Sequence, residues 1–148
     1  MHFTTLFILK NETLDNIKLW DIEDEFGKRF CYSCGESTPK YRCWCDWFQI
    51  GGRWADLLKA KRGIFGERSC LGDKNEPETG LYSIVEIKDL TAPLDTNSIY
   101  AVATKSRIYQ KSDEWTCGKP NEEKFNKLID DINNKRFKGV IALIDCHD

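Results

Sequence analysis

The stretch GVIALIDCHD, Gly139 to Asp148, decides how the chain is read. Its aliphatic and β-branched residues form a short apolar run after a glycine, the mark of a buried strand. Immediately before it lies the clearest helix of the chain. Phe125, Leu128, Ile129 and Ile132 sit at i, i+3, i+4 and i+7, which puts them on one helical face. Pro120 and Asn121 open this helix, and Asn133 and Asn134 end it. The other end of the chain mirrors the pattern. HFTTLFIL, His2 to Leu9, reads as a buried strand, and NETLDNIKLWDIEDEF, Asn11 to Phe26, reads as a helix with Leu14, Ile17 and Trp20 at roughly helical spacing. Asn11 or Thr13 serves as its cap.

Two more strands lie between these ends. In LYSIVEIKDL the alternation of Leu81, Ser83, Val85 and Ile87 predicts a strand, and SIYAVATKSRIYQ, Ser98 to Gln110, predicts a strand bending back near Lys105. The order is β-α-β-β-α-β, which predicts an α+β, ferredoxin-like antiparallel sheet with both helices on one face. Residues 28–80 lack clean periodicity and form a long Cys- and Trp-rich insertion after the first helix. Within it, WADLLKAK, Trp54 to Lys61, reads as a short helix or strand, and GDKNEPETG as a turn-rich loop. The 148 residues are expected to form one domain spanning 1–148.

Composition narrows the function classes. The chain is 41% hydrophobic and 31% charged, with a net charge of −2 and both signs interspersed. That is a globular composition with no basic run to attract DNA or RNA. No run approaches the ~20 apolar residues of a membrane span, and MHFTTLFILK lacks the charged start and cleavage site of a secretion signal. A cytoplasmic protein with no membrane partner is expected. The sequence holds no P-loop, Gly-x-Gly-x-x-Gly fingerprint, nucleophile elbow or kinase signature. Binding is therefore expected ahead of catalysis.

Three groups of residues carry candidate chemistry. His2 and His147 are the two histidines of the chain. If the first and last strands are antiparallel neighbours, the start of one lies beside the end of the other. His2 then meets His147, with Asp145 and Cys146 close by, a set suited to acid–base work or to a transition metal. The alternative is two histidines that merely fill strand ends. The second group is Cys31-x2-Cys34 followed by Cys43-x-Cys45. Four thiolates at that spacing suit a structural, tetrahedral zinc stapling the insertion; free thiols and disulfides are the alternatives. The third is DWFQIGGRW, Asp46 to Trp54. Gly51 and Gly52 permit a tight turn or a close backbone approach, and Arg53 offers a guanidinium to a phosphate or carboxylate, with Asp46 as an internal partner. Trp47 and Trp54 either line a ligand site or pin the insertion onto the sheet.

MHFTTLFIL at the start, CDWFQIGGRW in the middle and LIDCHD at the end occur in the order found in a family of short, uncharacterised proteins of bacteria and their phages. The chain resembles that family over nearly its whole length. The family's recurring positions fall on His2, Phe3, Asp46, Trp47, Gly51, Gly52, Arg53, Trp54, Asp145, Cys146 and His147. Cys45 replaces the family's first tryptophan of the central motif, and Phe48 replaces its tyrosine. The resemblance implies a phage or mobile-element setting and an accessory, anti-defence role. It leads to the expectation of an anti-CRISPR-like inhibitor whose partner is a protein of a host defence system. The alternative is a metal- or histidine-dependent hydrolase, or a binder, of a small cyclic nucleotide, using His2, Asp145, His147 and Arg53.

Overall fold

The computed structural model describes residues 2–31, 44–68, 78–112 and 120–147. The chain is a mixed α+β structure with two nine-residue strands at its centre. These are β1, His2–Lys10, and the C-terminal strand Gly139–His147. They pair antiparallel along their whole length, from His2 opposite His147 to Lys10 opposite Gly139. Between them in sequence come α1 (Leu19–Phe30), β2 (Trp47–Gly52), β3 (Leu58–Lys59), β4 (Glu67–Arg68), β5 (Leu81–Tyr82), β6 (Ile84–Glu86), β7 (Ala101–Ala103), β8 (Ile108–Gln110) and α2 (Glu122–Asn133), which makes the last strand β9.

The sheet order departs from the ferredoxin-like expectation. The described residues give the order β4-β2-β9-β1-β7-β8, with β6 also pairing β9, while β3 and β5 form a separate pair. β9 is thus an interior strand, with β1 on one side and β2 and β6 end to end on the other. β1 pairs parallel with β7, so the sheet is mixed rather than antiparallel.

The helices lie on opposite faces, not on one. Successive residues of a strand point to opposite sides. Phe3, Phe7 and Leu9 of β1 pack with Ile22, Phe26 and Phe30 of α1, whereas Leu6 and Ile8 pack with Phe125, Leu128, Ile129 and Ile132 of α2. Both long strands are consequently buried on both faces. That is why they read as continuous apolar runs without polar alternation. Burying each such phenylalanine contributes about 2–3 kcal/mol of transfer free energy.

α1 starts later and ends later than its sequence predicts. Leu14 to Lys18 form a turn, held by the buried Glu86 carboxylate, which accepts the Leu14 N–H at 2.8 Å. Helical bonding begins where the Asp21 carboxylate accepts the Lys18 N–H at 2.9 Å, a capping contact. Leu14 and Ile17 still pack against the α1-side core, but from the turn, and Trp20 points into solvent. α2 forms where its spacing predicts it, with the Asn121 side chain accepting the Lys124 N–H. The hairpin predicted near Lys105 is the β7–β8 pair, Ala101 opposite Gln110. The single strand expected across Leu81–Ile87 breaks at Ser83 into β5 and β6, which join different sheets. Residues 28–80 also contribute more than an insertion: the last turn of α1, β3, β4 and the sheet strand β2. Among the described residues no helix is long and apolar enough to cross a membrane.

Candidate functional site

Register builds the site. β1 begins opposite the end of β9, and β2 begins opposite it on the other side: His2 and Trp47 both face His147, and Thr4 and Gln49 both face Asp145. The period-two alternation then sends these side chains to one side, at the end of the sheet face that α2 covers further along. The His2 and His147 rings meet edge to face with centroids 5.1 Å apart. Trp47 stands edge-on to both, at 6.2 Å from His2 and 6.4 Å from His147.

Each imidazole is held by its own carboxylate. His2 Nδ1 lies 2.8 Å from Asp145 Oδ1, and His147 Nδ1 lies 2.9 Å from Asp46 Oδ1. The two pairs differ in depth. Asp145 is 1% exposed and its partner His2 23%, whereas Asp46 and His147 are 35% and 40% exposed. A buried carboxylate needs its lone pairs filled. Asp145 meets that need with His2 on one oxygen and the Arg53 backbone N–H, at 3.0 Å, on the other.

The glycine pair explains how Arg53 reaches Asp145. Gly51 and Gly52 adopt φ of +84° and +53°, the left-handed region that favours glycine. A Cβ at Gly52 would lie 2.5 Å from Asp145 Cβ, and closer still to its Oδ2. The close approach that the two glycines permit is therefore to Asp145. The turn continues with the Trp54 N–H donating to Gly51 O at 2.9 Å. Arg53 itself is exposed, and Trp54 is half-buried against the α2-side core.

The sequence places His2, Asp145 and His147 together, and the structure does the same. Cys146 separates from them: lying between Asp145 and His147, it points to the opposite face and is buried in the α1-side core. Asp46 engages His147 rather than standing as a partner reserved for Arg53. Sequence reasoning missed this pairing. The only signal for it was the position of Asp46 directly before β2, visible once β2 is known to flank β9.

Of the four cysteines expected to bind zinc, Cys34 and Cys43 lie outside the described residues, as do Cys70 and Cys117. Cys31 and Cys45 form a backbone bridge and are fully buried together with Cys146. Their thiols donate to backbone carbonyls, Cys31 to Asp46 O at 3.5 Å and Cys45 to Phe30 O at 3.6 Å. The Cys146 thiol lies 3.5 Å from Thr5 Oγ1, which also accepts the Trp44 indole N–H at 3.2 Å. Hydrogen bonding with Cys146, burial and the nearby Cys31 push the Cys45 thiol far above its ordinary range. Among the described residues no group of three or more histidine, cysteine, aspartate or glutamate side chains is arranged to hold a metal ion.

Fold and site together define a mixed α+β protein whose first and last strands carry an aspartate-anchored histidine pair. No family model, no curated protein and no solved structure matches the chain.

Proposed function

We propose that the histidine pair is an acid–base site that cleaves a phosphodiester, with a small cyclic nucleotide as the substrate class. The observation that carries this reading is the double anchoring: each imidazole spends Nδ1 on a carboxylate, which leaves Nε2 of each as its reactive nitrogen. Among the described residues neither Nε2 has a hydrogen-bond partner. Two such nitrogens on adjacent rings supply what the reaction needs. One takes the proton of the attacking water as the new P–O bond forms. The other, protonated, gives its proton to the leaving oxygen as the old P–O bond breaks. Arg53, exposed on the turn that holds Asp145, supplies a cation for the phosphoryl oxygens. The test is turnover of a panel of 3′,5′-, 2′,3′- and oligomeric cyclic nucleotides. His2→Ala and His147→Ala are each expected to lower the rate by about 10²–10⁴-fold with the fold intact by circular dichroism. Absence of both turnover and thermal shift with every member would end this reading.

A second reading, an inhibitor of a host defence effector that acts by binding, comes from the family resemblance. One observation favours it: Trp20 and Trp47 are exposed and line the same groove. Expressing the chain in a defended host should then restore phage plaques; unchanged plaque counts across several defence systems would remove it.

A further inference from the structure

We propose that the groove between α1 and β2 docks a basic segment of a partner protein, one carrying arginine or lysine beside an apolar side chain. The proposal rests on the binding reading and names the chemistry of its partner. It shares Trp47 with the histidine pair but needs no chemistry from either imidazole.

The groove has a volume of about 820 Å³. Its α1 wall is made by Trp20, Glu23, Asp24 and Gly27, at i, i+3, i+4 and i+7 on one helical face. Gly27, buried like Ile22, Phe26 and Phe30, is where that face borders the core-facing one. Gly27 has no side chain to fill the space. Trp47 and Phe48 belong to the β2 wall. Among the described residues, Trp20 at 64% and Trp47 at 43% are the large apolar side chains left exposed, and both line this groove. Indoles paired across a concave surface are the usual anchors of protein recognition.

Charge selects the occupant. Asp21, Glu23, Asp24 and Glu67 line the groove against a single cation, Lys28, which is paired with Glu25 at 3.0 Å. Among the described residues Glu23, Asp24 and Glu67 form no ion pair with lysine or arginine. Glu23 is held above the ordinary carboxylate range, first by partial burial and then by the charge of Glu67. A cation placed between those two carboxylates relieves that repulsion. The tryptophan faces favour the same ligand, because an aromatic ring attracts a cation and stacks a guanidinium. Lys18 already stands over Trp20, with Nζ 5.9 Å from the ring centroid. The same charges repel a polyanion, which rules the groove out as an extended nucleic-acid track.

The test is a displayed library of random twelve-residue peptides, panned on the wild-type protein. Enriched peptides should carry net positive charge, with arginine prominent. A synthesised winner should bind about tenfold more weakly to Trp20→Ala and to Glu23→Gln, and more weakly still to Glu23→Lys/Glu67→Lys. Its affinity should also fall as salt rises. Circular dichroism checks each fold; Trp20→Ala removes an exposed side chain and keeps the test decisive if the charge reversal misfolds. Enrichment of neutral or acidic peptides, no enrichment, or undiminished binding to Trp20→Ala would overturn the proposal. The two readings separate in the plaque assay. Plaque restoration undiminished in Trp20→Ala would sink the groove and spare the inhibitor, whereas groove-dependent peptide binding without plaque restoration would do the reverse.

Discussion

Asp145, Cys146 and His147 are consecutive, yet they serve two clusters separated by the thickness of one strand. On one face lie two imidazoles, two carboxylates and Trp47, open enough that His147 is 40% exposed. On the other lie Cys31, Cys45 and Cys146, fully buried among Phe3, Trp44 and Phe30. Both clusters contain groups that can trade protons, and their surroundings decide what becomes of that ability. Carboxylates fix Nδ1 of each histidine, and among the described residues Nε2 of each has no hydrogen-bond partner. Hydrogen bonding with Cys146 and burial push the Cys45 thiol up, which favours its neutral form. Chemistry is possible where the strand end is wet, and packing where it is dry.

The strongest way to break this contrast is to put the wet face's chemistry on the dry side. Cys146→Asp places a carboxylate in a fully buried core where the side-chain hydrogen-bonding neighbours are the Thr5 hydroxyl and the Cys45 thiol. It should cost at least about 4 kcal/mol, read as a fall in the urea midpoint or as failure to fold. A loss below about 1 kcal/mol would mean the thiol face is not sealed. Cys146→Ala, which keeps the face apolar, should cost far less.

Much of this was legible in the sequence, for reasons particular to certain residues. His2 meets His147 because the first and last strands pair antiparallel in full register, a relation that holds even though the rest of the sheet is ordered differently from a ferredoxin-like fold. The helices lie on opposite faces rather than the one expected, although the sequence carries a signal for this. LFIL and VIALI are unbroken apolar runs, and a sheet with a solvated face would alternate. β2 was not legible: WFQIGG has little alternation and ends in two glycines, because its terminus leaves β9 after Ile50, bends past Asp145 and pairs with β4 instead. α1 was shifted because Phe26 and Phe30 are separated by charged residues that face out, while Leu14 and Ile17 reach the core from a turn. Cys34 and Cys43 lie outside the described residues, so zinc remains an expectation of the cysteine spacing.

A second perturbation sharpens the wet side. Gly52→Ala combines a left-handed φ of +53° with a Cβ driven onto Asp145, the residue that holds His2. It should cost about 3 kcal/mol and displace His2, with the proposed phosphodiester cleavage falling alongside stability. Gly80→Ala is the control. Its φ is also positive, at +89°, but the nearest atom to an added Cβ is Ala60 O at 3.7 Å. It should cost about 1 kcal/mol and leave the histidines in place. Equal losses in the two variants, by urea denaturation, would show that backbone strain alone decides and that contact with Asp145 adds nothing.

The smallest effect on stability is the most informative about the two histidines. Asp46 and Asp145 make the same Nδ1 contact, but Asp46 is 35% exposed and Asp145 1%. Removing the exposed partner strands no buried charge. Asp46→Ala should therefore change stability by less than about 1 kcal/mol. What it removes is the group that fixes the His147 ring and favours a proton on its Nδ1, so that Nε2 faces outward with its lone pair. Nitrogen NMR should show wild-type His147 mainly as the Nδ1-protonated tautomer and Asp46→Ala as a mixture, with His2 unaltered. The proposed cleavage should fall about 10- to 100-fold, the cost of losing a carboxylate that orients an imidazole. A His147 tautomer unchanged by the substitution would show that the strand register alone orients the ring, and that Asp145, sealed beneath His2, is the one carboxylate on which the site depends.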